Sequence, residues 1–278
     1  MEISSEVGFE VGHEGRTAIS RLRCEPPLVL RETTSGVMMI GAAAGPLGGD
    51  RWSLRLRADR AAHARIGSIA ATIAQRGLKT AESRFEISVD LRSDATLDWG
   101  PEPLVVAEGA VHRVRIDIDL AASSRLYWRD IVVLGRHAQP PGRAITRSRI
   151  RRAGRPLFAH DLDIGAGAAV GWDGPAVLAG ARVIGNLLIV DPSLSPGADI
   201  RPSPSPEAAT LFRLAGPAVL VVARGQTTCE VTAALDKARA ELGSTALPRD
   251  ASGCAPADAG WRRLAGAGQD PSGGTNAQ

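Results

Sequence analysis

Alternation with a period of two residues constrains this chain more than any other feature. Phe85, Ile87, Val89 and Leu91 alternate with Glu86, Ser88 and Asp90. Val114, Ile116, Ile118 and Leu120 alternate with Arg115, Asp117 and Asp119, and Trp52, Leu54 and Leu56 with Arg51, Ser53, Arg55 and Arg57. Successive side chains of a strand point to opposite faces, so each segment reads as a strand with one buried and one solvated face. Residues 125–134 form a further candidate. Residues 182–190 and 218–223 are more continuously apolar, as strands covered on both faces are. Turn residues separate these segments at Ser93-Asp94, at 121–124 and at 165–167. The expected fold is mainly β, a large layered β-sheet structure with one or two helices.

One helix is legible near the C-terminus. Thr227-Thr228-Cys229-Glu230 matches a capping box, in which side chains satisfy the free backbone donors of a helix start. Val231, Leu235, Ala238 and Leu242 follow at helical spacing, and Gly243 is placed to stop the helix. Such a short helix is unstable alone and must dock on the β-core or on a partner. Beyond Leu247 the periodicity ends, so residues 1–247 read as one β-rich domain and 248–278 as a disordered tail. Residues 202–206 alternate Pro and Ser and read as an exposed loop. Three segments share a small-x-aliphatic-x-Trp pattern ending at Trp99, Trp128 and Trp172. Their spacing is too unequal for a solenoid of identical units, so they suggest β-layers with similar hairpin entries, the tryptophans anchoring the core.

Composition excludes several classes. The first residues carry no apolar signal-peptide core, and no apolar run approaches the ~20 residues of a membrane span. A soluble, cytoplasmic protein without membrane association is expected. Cys24, Cys229 and Cys254 are odd in number and far apart, which argues against a disulfide framework or a CxxC metal pair. The net charge of +3 and the single tyrosine, Tyr127, argue against nucleic acid as a partner. The five histidines form no metal-binding spacing and read as surface or satisfied strand residues. There is no GxSxG elbow. Arg147, Arg149 and Arg151 line one side of a strand within a basic run from Arg143 to Arg155, a solvated face or a site for an acidic partner or phosphates. No self-contained catalytic apparatus is visible, which favours a scaffold or binding protein over an enzyme.

The loop Gly45-Pro46-Leu47-Gly48-Gly49-Asp50 raises the question of phosphate binding. A phosphate loop opens a helix and carries a Lys-Ser/Thr pair. Here a strand follows and the pair is missing, so tight backbone packing is the better reading, with a nucleotide- or phosphate-binding enzyme as the alternative. A Cβ at Gly48 or Gly49 should strain the loop by about 1–2 kcal/mol if φ is positive there.

Taken in order, five segments resemble the urease accessory protein family UreD, also called UreH. They are Gly45 to Asp50 with its following strand; Ala70-Ala71-Thr72; Leu97-Asp98-Trp99-Gly100-Pro101-Glu102-Pro103; Arg125 to Asp130 with Leu134-Gly135-Arg136; and Gly154-Arg155-Pro156-Leu157. Asp130 stands where the family usually has Glu, and residues 73–77 depart from its usual pattern, as in an actinobacterial branch. The resemblance implies a β-rich layered fold and a non-enzymatic role in metalloprotein maturation. Such a protein binds UreF, which recruits the GTPase UreG, and the assembly docks on the urease apoprotein to deliver nickel through an internal path. No tightly bound cofactor is implied, only nickel in transit. On motif position and side-chain chemistry, Asp50, Glu102 and Asp130 are the acids expected to line a metal path or an interface. For Asp50 a turn cap bonding its own loop is an equal alternative. Gly45, Gly48, Gly49, Trp99 and Trp128 are expected to be structural.

Overall fold

The computed structural model describes residues 1–194 and 209–242. Gly243, the Pro/Ser segment 202–206, Cys254 and the tail 248–278 lie outside the described residues. In chain order the strands are β1 (Glu2–Val11), β2 (Thr17–Arg23), β3 (Leu28–Thr33), β4 (Gly36–Gly41), β5 (Arg51–Ala58), β6 (His63–Ser68), β7 (Thr72–Ala74), β8 (Glu82–Leu91) and β9 (Thr96–Trp99). They continue with β10 (Leu104–Val106), β11 (Val111–Leu120), β12 (Arg125–Leu134), β13 (Arg143–Arg152), β14 (Arg155–Gly165), β15 (Val183–Val190), β16 (Ala209–Arg213) and β17 (Ala218–Gly225). Helix α1 (Thr228–Glu241) follows.

The strands build two facing layers. One sheet runs β14-β13-β11-β8-β5-β1-β2; the other runs β16-β17-β15-β12-β9-β6-β4-β3, with β7 and β10 forming a short ladder beside β12. The central strands are parallel, so consecutive ones cannot be joined by hairpins. The chain climbs instead in coils: β5, β6 and β7 make one, β8, β9 and β10 the next, and β11 with β12 begins a third. Trp52, Phe85 and Val114 are register partners in the first sheet, and Ala64, Leu97 and Leu126 in the second. The short ladder aligns Thr72, Leu104 and Val132. The hairpin-entry reading is therefore corrected: the layers stack as expected, but as parallel coils rather than through hairpins. The loops vary in length from coil to coil, which blurs the period. Trp99 and Trp128 lie one coil apart in direct register, their rings stacked at 4.4 Å and 2°. Trp172 lies beyond the parallel stack, against a separate apolar cluster that includes Val106, Leu134 and Ile164.

Inward-phase residues of both sheets form one core. Leu54, Leu56, Ile87, Val89, Ile116 and Ile118 meet Ala64, Ile66, Leu97, Trp99, Leu126 and Trp128. Each fully buried Leu or Ile contributes about 1.5–3 kcal/mol by leaving water. The outward phase of the first sheet is charged and paired: Arg115 bonds Asp117, Arg143 bonds Asp163, and Arg147 and Arg149 bond Asp161. Much of the basic run on β13 is thus neutralised by its antiparallel neighbour β14. Exposed pairs of this kind contribute about 0–1 kcal/mol each.

On its outer face the second sheet is covered by α1 at β15 and β17, which explains why these strands are largely apolar on both faces. Thr227 accepts from the Glu230 amide while Glu230 bonds back to the cap amide, as the capping-box spacing requires. Val231 and Leu235 pack on Leu187, Val219 and Val221. Near the end of the helix Arg239 forms a two-pronged ion pair with Asp98 of β9, at 3.1 and 2.9 Å, and lies 5.1 Å from the centre of the Tyr127 ring. Tyr127 in turn donates to Asp191 at 2.9 Å. Cys24 is a free, half-buried thiol. Among the described residues no helix is long and apolar enough to cross a membrane.

Candidate functional site

Strand phase decides what the space between the layers contains. On β12 the inward residues are Leu126, Trp128, Asp130 and Val132, so a single carboxylate enters an otherwise apolar row. On β11 the inward row is His112, Val114 and Ile116, and on β13 it includes Thr146 and Ser148. A cavity of about 80 Å³ between the sheets is lined by Glu102, His112, Asp130 and Thr146 among apolar walls that include Trp99 and Trp128. A smaller one of about 20 Å³ adjoins it, with Asp130, Thr146, Ser148, His160 and Asn186 in its lining. A water needs roughly 10–15 Å³ of such volume, so the small cavity holds about one and the larger several. Asp130 belongs to both linings. A third cavity, of about 240 Å³, lies beside the Gly45 loop and shares Met39, Trp52, Thr72 and Phe85 with the first.

Burial sets the protonation of these groups. Asp130 is partly exposed by surface area, yet protein surrounds it and its remaining surface faces the cavities. Loss of hydration pushes its carboxyl up to about 6, opposed by the hydrogen bond from Asn186 Nδ2 at 3.2 Å. His112 is fully buried and is pushed down to about 4 for the same reason. Its Nδ1 lies 2.8 Å from Ser83 Oγ. Burial also lowers His160, partly offset by Asp161. At neutral pH the interior therefore presents an ionised carboxylate and neutral imidazoles, the forms that ligate divalent cations. They are spread along the space: among the described residues no group of three or more His, Cys, Asp or Glu could hold a metal ion.

Of the three acids singled out from sequence, the structure brings Glu102 and Asp130 to one cavity. The Glu102 amide donates to Ser68 Oγ at 2.9 Å, which ties the segment after β9 to β6. Asp50 is elsewhere. Its carboxylate accepts from the Leu47 amide at 2.9 Å and from the Met1 ammonium at 3.0 Å, capping its own loop. His112, His160 and Asn186 were not picked out from sequence, although His112 shares the inward phase of Val114 and Ile116.

The glycine loop is a backbone-on-backbone contact. Gly48 donates to the Gln75 carbonyl, Gly49 to the Glu82 carbonyl and Asp50 to the Leu47 carbonyl. With Leu47 bonded to Asp50, the amides of residues 47–50 are all engaged, and none is left to cradle a phosphate. The phosphate-enzyme alternative loses its donors. A Cβ on Gly48 would stand 1.9 Å from the Thr80 carbonyl oxygen, so close approach excludes a side chain there, whereas Gly49 holds a φ of +100°. Gly45 lines the third cavity.

The family described as "UreD urease accessory protein" matches residues 4–254. A urease accessory protein UreD from Streptomyces coelicolor is 39% identical over 236 residues, covering 82% of this chain and 91% of its own length. One from Streptomyces avermitilis is 37% identical over 245 residues, covering 86% and 97%. The UreD 2 protein of Saccharopolyspora erythraea is 36% identical over 235 residues, covering 81% and 83%. The chain belongs to the UreD family of urease accessory proteins.

Proposed function

We propose that this chain is a non-enzymatic scaffold of urease maturation. It binds UreF and through it UreG, docks on the urease apoprotein, and lets nickel pass between its two sheets on the way to the urease active site. The observation that carries this reading is the position of Asp130. It lies on the boundary of two adjoining cavities, with Glu102 and His112 on one side and His160 and Asn186 on the other. A desolvated carboxylate with no cationic partner among the described residues attracts a divalent ion, and borderline ions such as nickel accept oxygen and imidazole donors. Donors met a few at a time release an ion more readily than a closed cage does, which suits transit. Asp50, held by its own loop and by Met1, serves the scaffold in this reading.

The test is nickel content and activity of urease in a host lacking this chain. Both are expected to fall to background, to be restored by the wild-type chain, and to be restored only in part by Asp130→Ala. The Asp130→Ala chain should still co-purify with UreF. Fully nickel-loaded urease in the strain lacking the chain would sink the scaffold reading. Full restoration by Asp130→Ala would sink the internal path.

A further inference from the structure

The cavity of about 240 Å³ beside the Gly45 loop holds none of the donors used above. Its wall includes Met39, Ala44, Ala71 and Phe85, and Trp52 lies between it and the inner cavity. Trp52 is 4% exposed, and its Nε1 is buried with no acceptor among the described residues. Buried donors in native proteins almost always have a partner, and Trp52 borders both this cavity and the inner one.

The surroundings are those of a contact surface. Ile69, next to the lining residues Ser68 and Ala70, is 64% exposed, and Leu78 is fully exposed. Leu47, bridged to Gln75, is 40% exposed. Exposed aliphatic side chains beside an apolar pocket suit protein–protein contact. Arg76 and Lys79 flank Leu78 on one short segment and take part in no ion pair among the described residues. Of the acids on the adjoining segments, Asp50 is engaged by Met1, and Glu82 by Arg84 and Arg113. Arg76 extends over Gly109 of the next coil, and Glu108 beside it is not paired with it.

The geometry points to a docking site for a protein partner that presents an acidic, apolar segment. One aliphatic side chain fills the cavity, a backbone carbonyl accepts from Trp52 Nε1, and carboxylates face Arg76 and Lys79. The site needs no metal and does not rest on the nickel reading. The probe is an acetylated hexapeptide with two central leucines between Asp–Glu pairs, titrated calorimetrically into the full chain. Saturable binding is expected, weakened at least about tenfold by the surface change Arg76→Glu with Lys79→Glu and, separately, by Trp52→Phe, which keeps the ring and removes the donor. A matched peptide with Lys in place of the acids should not bind. No saturable binding up to about 1 mM, equal binding of the basic peptide, or unchanged binding by the double charge reversal overturns the proposal. A chain that self-associates, and becomes monomeric with Leu78→Glu, would make a second copy the occupant and also overturn it. Urease nickel loading is not read in this experiment, so its failure leaves the scaffold reading where it stood.

Discussion

Asp98 and Asp130 sit on neighbouring strands of one sheet and face opposite ways. Asp98 points outward beneath α1, is 1% exposed, and meets Arg239 through both carboxylate oxygens. Asp130 points inward between the layers, where its side chain accepts from the neutral Asn186. The outer face is a closed electrostatic unit: Arg239 lies against Tyr127, Tyr127 bonds Asp191, and Arg129 reaches Asp236 of the helix at 3.3 Å. Among the described residues the Asp130 charge on the inner face meets no counter-charge. The same residue type is thus a fastener on one side of the sheet and a source of unspent negative potential on the other. What separates them is one residue of strand phase, since Asp98 pairs in register with Tyr127 and Asp130 lies in phase with Trp128.

The largest effect should come from breaking the outer unit. Asp98→Ala leaves the Arg239 guanidinium in a mostly buried place without its partner, which typically costs about 3–5 kcal/mol. The measurement is the denaturant midpoint of the full chain at neutral pH. Asp98→Ala combined with Arg239→Leu should recover much of the loss, because no uncompensated charge is then buried. A double variant as unstable as the single one would show that the ion pair is not what fastens α1.

Asp130→Asn should move stability the other way. The amide keeps an oxygen to accept from Asn186 and removes the cost of burying a charge. A carboxyl raised from 3.8 to about 6 loses stability as pH rises through that window. At neutral pH the substitution should therefore stabilise by about 1–3 kcal/mol, with cavity water screening placing it below the upper figure. Nickel loading of urease should fall in the same variant, so stability and function part company at this residue. Destabilisation at neutral pH would mean that the Asp130 charge has a partner in the fold, and the contrast with Asp98 would collapse.

The difference between the two acids was only half legible in the sequence. Phase was readable: Asp130 is two residues from Trp128 in an apolar row, and the outward charges of β11 declared themselves by alternation. The capping box at Thr227 and the apolar stripe of α1 were local and read directly. Partners were not. Arg239 is 141 residues from Asp98, and nothing in either neighbourhood encodes that meeting. The coil stack was missed for a related reason. The 29-residue step from Trp99 to Trp128 is one full coil, but variable loops and the outlying Trp172 hid the repeat. His112 carried a usable signal, its inward phase. It was passed over because an isolated histidine without metal spacing has many ordinary explanations. Asp50 left two readings open, and only the positions of the Leu47 amide and the Met1 ammonium show its carboxylate spent within the loop.

The smallest effect tests the inner face by cancellation. His112 is held at about 4 against an ordinary 6.5, so between these values the unfolded chain binds a proton that the folded chain refuses. That contribution is full above about pH 6.5 and is lost as pH falls. Asp130 does the reverse between 3.8 and about 6, where the folded chain holds the proton more tightly. The two slopes oppose each other over nearly the same window, each amounting to about 2 kcal/mol between about pH 7 and about pH 4.5. In the wild-type chain this pair should leave stability almost flat there, tilted toward acid sensitivity by His160, which burial also lowers. Asp130→Asn should uncover a loss of stability on acidification, and His112→Gln a gain. Urea midpoints of the three chains at several pH values provide the readout. Parallel curves for all three would mean that water reaches both groups freely and that the space between the sheets is not the low-dielectric interior its apolar walls indicate.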